Sequence, residues 1–357
     1  MRKPGSQPHL TGSTAVCAAA CLFALGFPIF DRAAYAGDAS NEEATIAPVV
    51  LATDPPATPQ TPEAGQVPPM LTQSYAADNS VCPPDPAEKP RLCGLIAPSD
   101  ASFGDFISPI SNPVFFEDPR TLTEAKFIFL NHQLPSSVGG NNIQLYALQL
   151  RVALTDRLSI IATKDGYIVS ENGVEGDGWA NLSAGLKYNL YKDAAAQQIL
   201  SVGATFQIPT GTPAALQGNG DGEFDLFATG GVQIGQYWHW ISASGFRLAS
   251  DPNDQTDSWY WSNHIDRKLT SWGLYGLYEV NWYHWLRSGD NDVPIDGLDL
   301  LNLGEKGVAG HNVVTNAVGL KWSPSINQEI GIAFEFPLTA NRDLMADRIN
   351  FNWILRY

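Results

Sequence analysis

Gln149, Arg151, Lys187, Asp225, Glu279, Glu335 and Arg356 fall on the polar phase of alternating segments, so they share one side of whatever sheet those segments form. If the sheet closes on itself that side is its interior. Charges of both signs then either pair and close the lumen or set a transverse field across a pore. Tyr275 and Tyr283 share the phase of Glu279, opposite Leu274, Tyr278 and Trp282, as a ring-lined path for aromatic solutes or as lumen filling. Ser258, His284 and Asp257 supply a hydroxyl, an imidazole and a carboxylate near neighbouring segment ends. They are the candidates for a barrel-embedded lipid hydrolase, although no nucleophile-elbow motif accompanies them. The run from Gln217 to Glu223 has the texture of a calcium loop. It begins with Gln and has Ala228 where a bidentate Glu belongs, so it reads as a flexible loop. Asp290, Asp292, Asp296 and Asp299 read as a solvated acidic loop. No metal site and no cofactor is expected.

The elements that must position these residues are strands. Ala180, Leu182, Ala184, Leu186, Tyr188 and Leu190 alternate with Asn181, Ser183, Gly185, Lys187 and Asn189, and series starting at Leu200 and Ile330 repeat the pattern. The polar phase is mostly Gly, Ser, Asn and Gln, which suits the inside of a barrel better than the wet face of a soluble sandwich. Twelve such segments run from 124–133 to 349–357. Links after even segments are short (155–157, 192–197, 236–237, 268–270, 323–327), and those after odd segments are longer (134–141, 170–178, 210–223, 250–257, 286–306, 339–348). Short turns alternating with long loops on an even strand count predict an all-β fold: a transmembrane antiparallel up-and-down β-barrel of about 12 strands over residues 121–357. The short turns would be periplasmic and the loops extracellular. Two girdles follow, with Tyr188, Tyr191, Tyr237, Trp238, Trp240, Trp272 and Trp322 at one end and Trp179, Trp259, Trp261, Trp282 and Trp285 at the other.

Upstream, Arg2 and Lys3 precede an apolar run over 15–30 and then Ala34-Tyr35-Ala36, so residues 1–36 read as a cleaved signal peptide. Its removal would take the formal net charge from −16 to −18. Residues 37–120 are rich in Pro, Ala, Thr and acidic side chains, and read as a Pro-rich, largely disordered periplasmic segment. Within it Cys82 and Cys93 form a disulfide candidate in an oxidising compartment.

Only 16% of the residues are charged, against about 25% in ordinary soluble domains. With 21 basic against 37 acidic side chains the chain lacks the basic face that nucleic acid requires. No stretch after residue 36 has the roughly 20 apolar residues of a membrane helix.

Leu154-Thr155-Asp156-Arg157-Leu158-Ser159, then Gly185-Leu186-Lys187-Tyr188, then Phe206-Gln207-Ile208-Pro209-Thr210-Gly211 with Gly218 to Asp221 behind it, resemble the outer-membrane transporters named for the meta-pathway of phenol degradation. The match covers about a third of the chain after residue 36. It implies an outer-membrane location and passage of small solutes, aromatic or hydrophobic compounds among them. The ending Phe351-x-Trp353-x-Leu355-x-Tyr357 is similar to the terminal strand signal read by barrel assembly machinery. The expected partners are therefore outer-membrane lipid, that machinery and small-molecule solutes, with a cation or neutral preference that rests on the −18 charge, the acidic extracellular loops and the lumen-facing charges, so that Glu279→Gln or Glu335→Gln should weaken it. A structural or adhesive barrel is the other non-enzymatic reading.

Overall fold

A computed structural model describes residues 91–92, 94–171 and 175–357. The signal peptide, Cys82, Cys93 and most of the Pro-rich segment lie outside these residues.

Alternation builds the strands, because each residue on the apolar phase can meet lipid while its neighbours face inward. They are β1 (Glu124–Gln133), β2 (Asn142–Ala153), β3 (Leu158–Lys164 continuing as Tyr167–Ser170) and β4 (Gly178–Trp179 continuing as Leu182–Asp193). There follow β5 (Gln198–Ile208), β6 (Glu223–Ile234), β7 (Trp238–Ala249), β8 (Asp257–Lys268), β9 (Leu274–Arg287), β10 (Asn312–Ser325), β11 (Gln328–Pro337) and β12 (Asp347–Arg356). Each strand pairs antiparallel with its sequence neighbour, and β1 pairs with β12 from Glu124↔Arg356 to Gln133↔Asp347. The sheet is a closed barrel of twelve strands. Closure removes every free edge, which a sheet in hydrocarbon requires.

The outer face exposes Leu186, Tyr188, Val318, Leu320, Ile332 and Phe334, a surface suited to lipid. Tyr188, Tyr191, Tyr237, Trp238, Trp272 and Trp322 are exposed at the short-turn end, and Trp179 and Trp261 at the other. Trp285 departs from the girdle reading. It is 1% exposed and points inward, its indole N–H donating to Asp296 at 2.6 Å.

Two strands are interrupted at one place. β2 pairs with β3 at Arg151↔Ile161 to Ala153↔Ser159 and again at Ile143↔Ser170 to Tyr146↔Tyr167, with no ladder between. The Asp165 carboxylate fills part of the gap by accepting the Leu148 N–H at 2.9 Å. Gly166 has φ +114°, and a Cβ there would lie 2.5 Å from the Tyr146 carbonyl oxygen. Glycine is required on both counts. Opposite, β4 breaks at Ala180 and Asn181, both buried. This corrects the expected lipid-facing series that began at Ala180: alternation slips by one residue there, and the outward phase starts at Leu182.

Ala97 to Thr123 run through the barrel interior. The chain is tied to the short-turn end by Ala97 N–H to Ala153 O (2.8 Å) and Ser99 N–H to Tyr357 O (2.7 Å). It turns at Asn112, whose carbonyl accepts the N–H groups of Phe115 and Phe116, and returns so that Asp100 N–H bonds Thr121 O at 2.9 Å. Phe103, Phe106 and Phe116 pack on Ile199, Ile241 and Ala243, while Ile107 and Ile110 pack on Tyr275, Leu277, Ala317 and Ala333. The reading of 37–120 as largely disordered therefore does not describe its last part. Phe103 to Arg120 carries enough apolar surface, with wall charges to meet its own, to offset the entropy of ordering.

Candidate functional site

The interior has two layers. The short-turn half is a buried ionic network built between this N-terminal plug and the wall. Glu117 of the plug accepts from Arg151 at 2.5 and 2.8 Å and from Lys187 at 2.8 Å. Asp118 pairs with Arg120 at 2.7 Å, and its carbonyl accepts from Lys187. Arg356 bridges Glu124 (2.8 Å) and Glu329 (2.5 Å) and donates to Ser108 Oγ at 2.8 Å. Glu329 also meets Lys321 at 3.0 Å and the Ser108 N–H at 3.0 Å. Wall cations Lys126, Arg151, Lys187, Lys321 and Arg356 outnumber by one the wall carboxylates Glu124, Asp266, Glu279 and Glu329 in this half. The plug supplies Glu117 and Asp118 where the wall lacks them.

Glu279 takes the plug by its backbone, accepting Ile110 N–H at 2.9 Å and Ser111 N–H at 2.7 Å, with the Ser111 hydroxyl as a further donor. Its other neighbour, His264 Nδ1 at 2.6 Å, continues through Asp266 to His239 Nδ1 at 2.8 Å. Gln149 donates to Pro113 O at 2.9 Å and to Thr163 O.

The long-loop half combines apolar clusters with further buried ion pairs and is capped by loops that fold inward. Tyr283, Trp285, Leu298, Val308 and Met345 pack with Phe115 of the plug. Leu130, Ile143, Leu145, Leu301, Leu303 and Leu344 form a second cluster against β1 to β3. Asp296 and Asp299, expected in a solvated loop, are 0% and 1% exposed: Arg247 pairs with Asp296 (2.9 Å) and Arg348 with Asp299 (2.8 Å). Asp290 and Asp292 remain exposed. The loop expected to be flexible is also held, since Gln217 accepts the Asn181 N–H at 3.1 Å and Glu223 accepts from Gln255 at 2.6 Å. Asp343, in loop 338–346, accepts the Gly297 N–H at 3.1 Å, and burial beside the Asp296 charge pushes its carboxyl up to about 7.

All nine lumen candidates are buried on the interior side, each 8% exposed or less. Arg151, Lys187, Glu279, Arg356 and Gln149 grip the plug. Glu335 is taken by Thr315 (2.7 Å), Asn281 (3.1 Å) and Asn350 (3.0 Å), and Asp225 accepts the Tyr260 hydroxyl at 2.9 Å. Tyr275 lies under plug residues Ile107 and Ile110, and Tyr283 in the apolar layer. Glu279 and Glu335, expected to contribute to a cation preference, are both fully buried and face no water. Ser258, Asp257 and His284 are not assembled. His284 Nδ1 meets Asn312 at 2.9 Å, Asp257 pairs with Arg287 at 2.7 Å, and Ser258 sits opposite Trp285 in the ladder.

The interrupted wall is the remaining feature. On its outer side lies a recess of about 740 Å³ framed by Phe127, Phe129, Tyr146, Leu148, Trp179 and Leu182. On its inner side is a cavity of about 30 Å³ within the second apolar cluster. Ile128, Ala147, Asp165 and Ala180 border both, so one layer of side chains separates lumen from lipid. Alternation alone did not reveal this. The available signal was Asp165-Gly166 inside an otherwise apolar strand. The plug had a signal too, the charged cluster Glu117-Asp118-x-Arg120 following the apolar run that ends at Phe116.

No family model matches the chain, and neither does any curated protein. Among solved structures the chain is similar to the COG4313 outer membrane channel from Pseudomonas putida F1, at 14% identity and TM-score 0.50, over 71% of this chain and 100% of that one. It is similar at lower scores to the NanC porin (7% identity, TM-score 0.43) and the KdgM porin (6%, TM-score 0.41), each over 66% of this chain and 99% of the other. At these identities the likeness is one of fold.

Proposed function

We propose that this chain is an outer-membrane channel for small apolar solutes, aromatic compounds among them, with long loops outside the cell and short turns in the periplasm. The observation that carries the reading is the thin wall between a mostly apolar inner cavity and an apolar outer recess, in a barrel whose axial path is filled by its own N-terminal segment. A polar solute moving along the axis meets buried ion pairs. An apolar solute moving sideways meets Ile128, Ala147 and Ala180 beside the Asp165 carboxylate in the shared layer and leaves into lipid. The lipid-facing belt and the paired last strand fit an outer-membrane location and assembly from the C-terminal strand. A signal peptide over 1–36 would provide export, and a bridge between Cys82 and Cys93 would brace the leader.

The test is uptake of an apolar fluorescent probe into liposomes with a lipopolysaccharide outer leaflet. The barrel is expected to speed uptake, and Ala180→Trp, which fills the shared wall, is expected to return it to the protein-free rate. Equal uptake with and without the protein overturns the reading. Loss of lipid turnover in His284→Ala would favour the hydrolase instead.

A further inference from the structure

The wall interruption holds a buried cation that the passage of neutral solutes does not use. Alternation along β3 from Leu158, Ile160 and Ala162 would send Lys164 to the lipid side. The register shift between Ala162 and Lys164 instead turns Thr163 and Lys164 inward in succession. Lys164 is 7% exposed and, among the described residues, forms no hydrogen bond and no ion pair. The carboxylates whose charge reaches it are already engaged. Glu223 accepts from Gln255 at 2.6 Å and faces Arg247 at 3.6 Å, and Asp299 takes both Arg348 guanidinium nitrogens at 2.8 and 3.0 Å. Arg247 adds a like charge. A buried ammonium in this position lacks a hydrogen-bonded anion, which a bound ligand can supply.

Lys164 lines the inner cavity with Ile143, Leu145 and Leu301. That cavity, at about 30 Å³, admits a small head group and no more. The outer recess, at about 740 Å³, falls in the range of roughly 300–1,000 Å³ that holds drug-sized ligands. The two volumes, with the cation on the inner one, describe a molecule with one compact anionic end and an apolar body. We propose that the interrupted wall binds amphipathic carboxylates, whose head parts the Ile128, Ala147 and Ala180 side chains to reach Lys164 Nζ while the apolar tail stays in the recess between Phe127, Tyr146 and Trp179. The proposal rests on the sideways route above and names its substrate class. Two carboxyl groups border the inner cavity, and repulsion of a carboxylate by Glu175 falls as the pH drops. Asp165 is held by the Leu148 N–H at 2.9 Å, and burial pushes Glu175 up to about 7, leaving it a proton donor at lower pH.

Trp179, 63% exposed in the recess, reports occupancy. In proteoliposomes at neutral pH, the fluorescence lost in Trp179→Phe isolates its signal. A bromine-tipped alkyl carboxylate should quench that signal at a concentration at least about tenfold below the matching alcohol. Lys164→Met should bring the two ligands to parity, and Lys164→Arg should restore the preference. Heat-modifiable gel migration checks that each variant folds. Equal quenching by carboxylate and alcohol in the unsubstituted protein, or preference for the matching alkylamine, overturns the carboxylate assignment while leaving the sideways route standing. Quenching by none of the three removes the route and the assignment with it.

Discussion

Replacing Glu117 by Gln keeps the side chain's shape and removes one charge from the plug. Two wall cations share that charge, Arg151 at 2.5 Å and Lys187 at 2.8 Å, and all three side chains are 2–3% exposed. After the change Arg151 keeps Glu124 at 3.3 Å, while Lys187 keeps only the Asp118 carbonyl. Removing one partner of a buried pair costs about 3–5 kcal/mol, because the other charge stays buried without compensation. At about 1.4 kcal/mol per factor of ten, that is roughly two to three and a half orders of magnitude. The barrel ladder does not pass through Glu117, so the cost falls on the residence of the plug rather than on the wall. Hydrogen exchange in micelles should show amides over 106–120 exchanging faster by that factor. Planar bilayers should show conductance that the unsubstituted protein lacks. The uncovered half has more wall cations than carboxylates, so the current should favour anions, and the preference should shrink at 1 M salt, where screening lengths fall to about 3 Å. Unchanged exchange over 106–120, or a cation-favouring current, would refute the reasoning.

Arg348→Met should strip Asp299 (2.8 Å) and Glu335 (3.7 Å) of their buried cation and cost about 3–5 kcal/mol, read as a lower temperature of heat-modifiable gel migration. An unchanged temperature would mean that the loop cap adds nothing to stability. Asp343 has a carboxyl raised from its ordinary 3.8 to about 7, so its stabilising share is full below about pH 4 and is lost as the pH rises through about 7. Protease nicking of loops 288–311 and 338–346 should therefore increase between about pH 5.5 and pH 8, and Asp343→Asn should flatten the dependence. Membrane-impermeant cysteine labelling of intact cells should reach Gly220→Cys and Asp292→Cys but not Asp156→Cys or Gln236→Cys, and the opposite pattern would invert the barrel.

The wall was legible in the sequence because lipid on one side and small polar groups on the other impose a period of two, and strands such as Gln328–Pro337 carry it without interruption. The inward placement of Arg151, Glu279 and Arg356 follows from the same period. What those side chains bind does not, since their partners Glu117, Ile110 and Ser108 come from a segment whose neighbours are rich in proline and read as leader. Lys164 and Ala180 escaped for another reason. A single-residue slip reverses every later side chain of a strand, and nothing in the alternation marks where the slip occurs. Asp296 and Asp299 look solvated by composition because the arginines that bury them, Arg247 and Arg348, lie on distant strands.

The central claim is that the axial path is shut while the wall is passable. The direct measurement pairs two permeants on the same unsubstituted protein in lipopolysaccharide-faced liposomes: swelling driven by a small sugar, and uptake of an apolar fluorescent probe. Probe uptake above the protein-free rate with no sugar-driven swelling is expected. Rapid swelling in the sugar without any gain in probe uptake would contradict it.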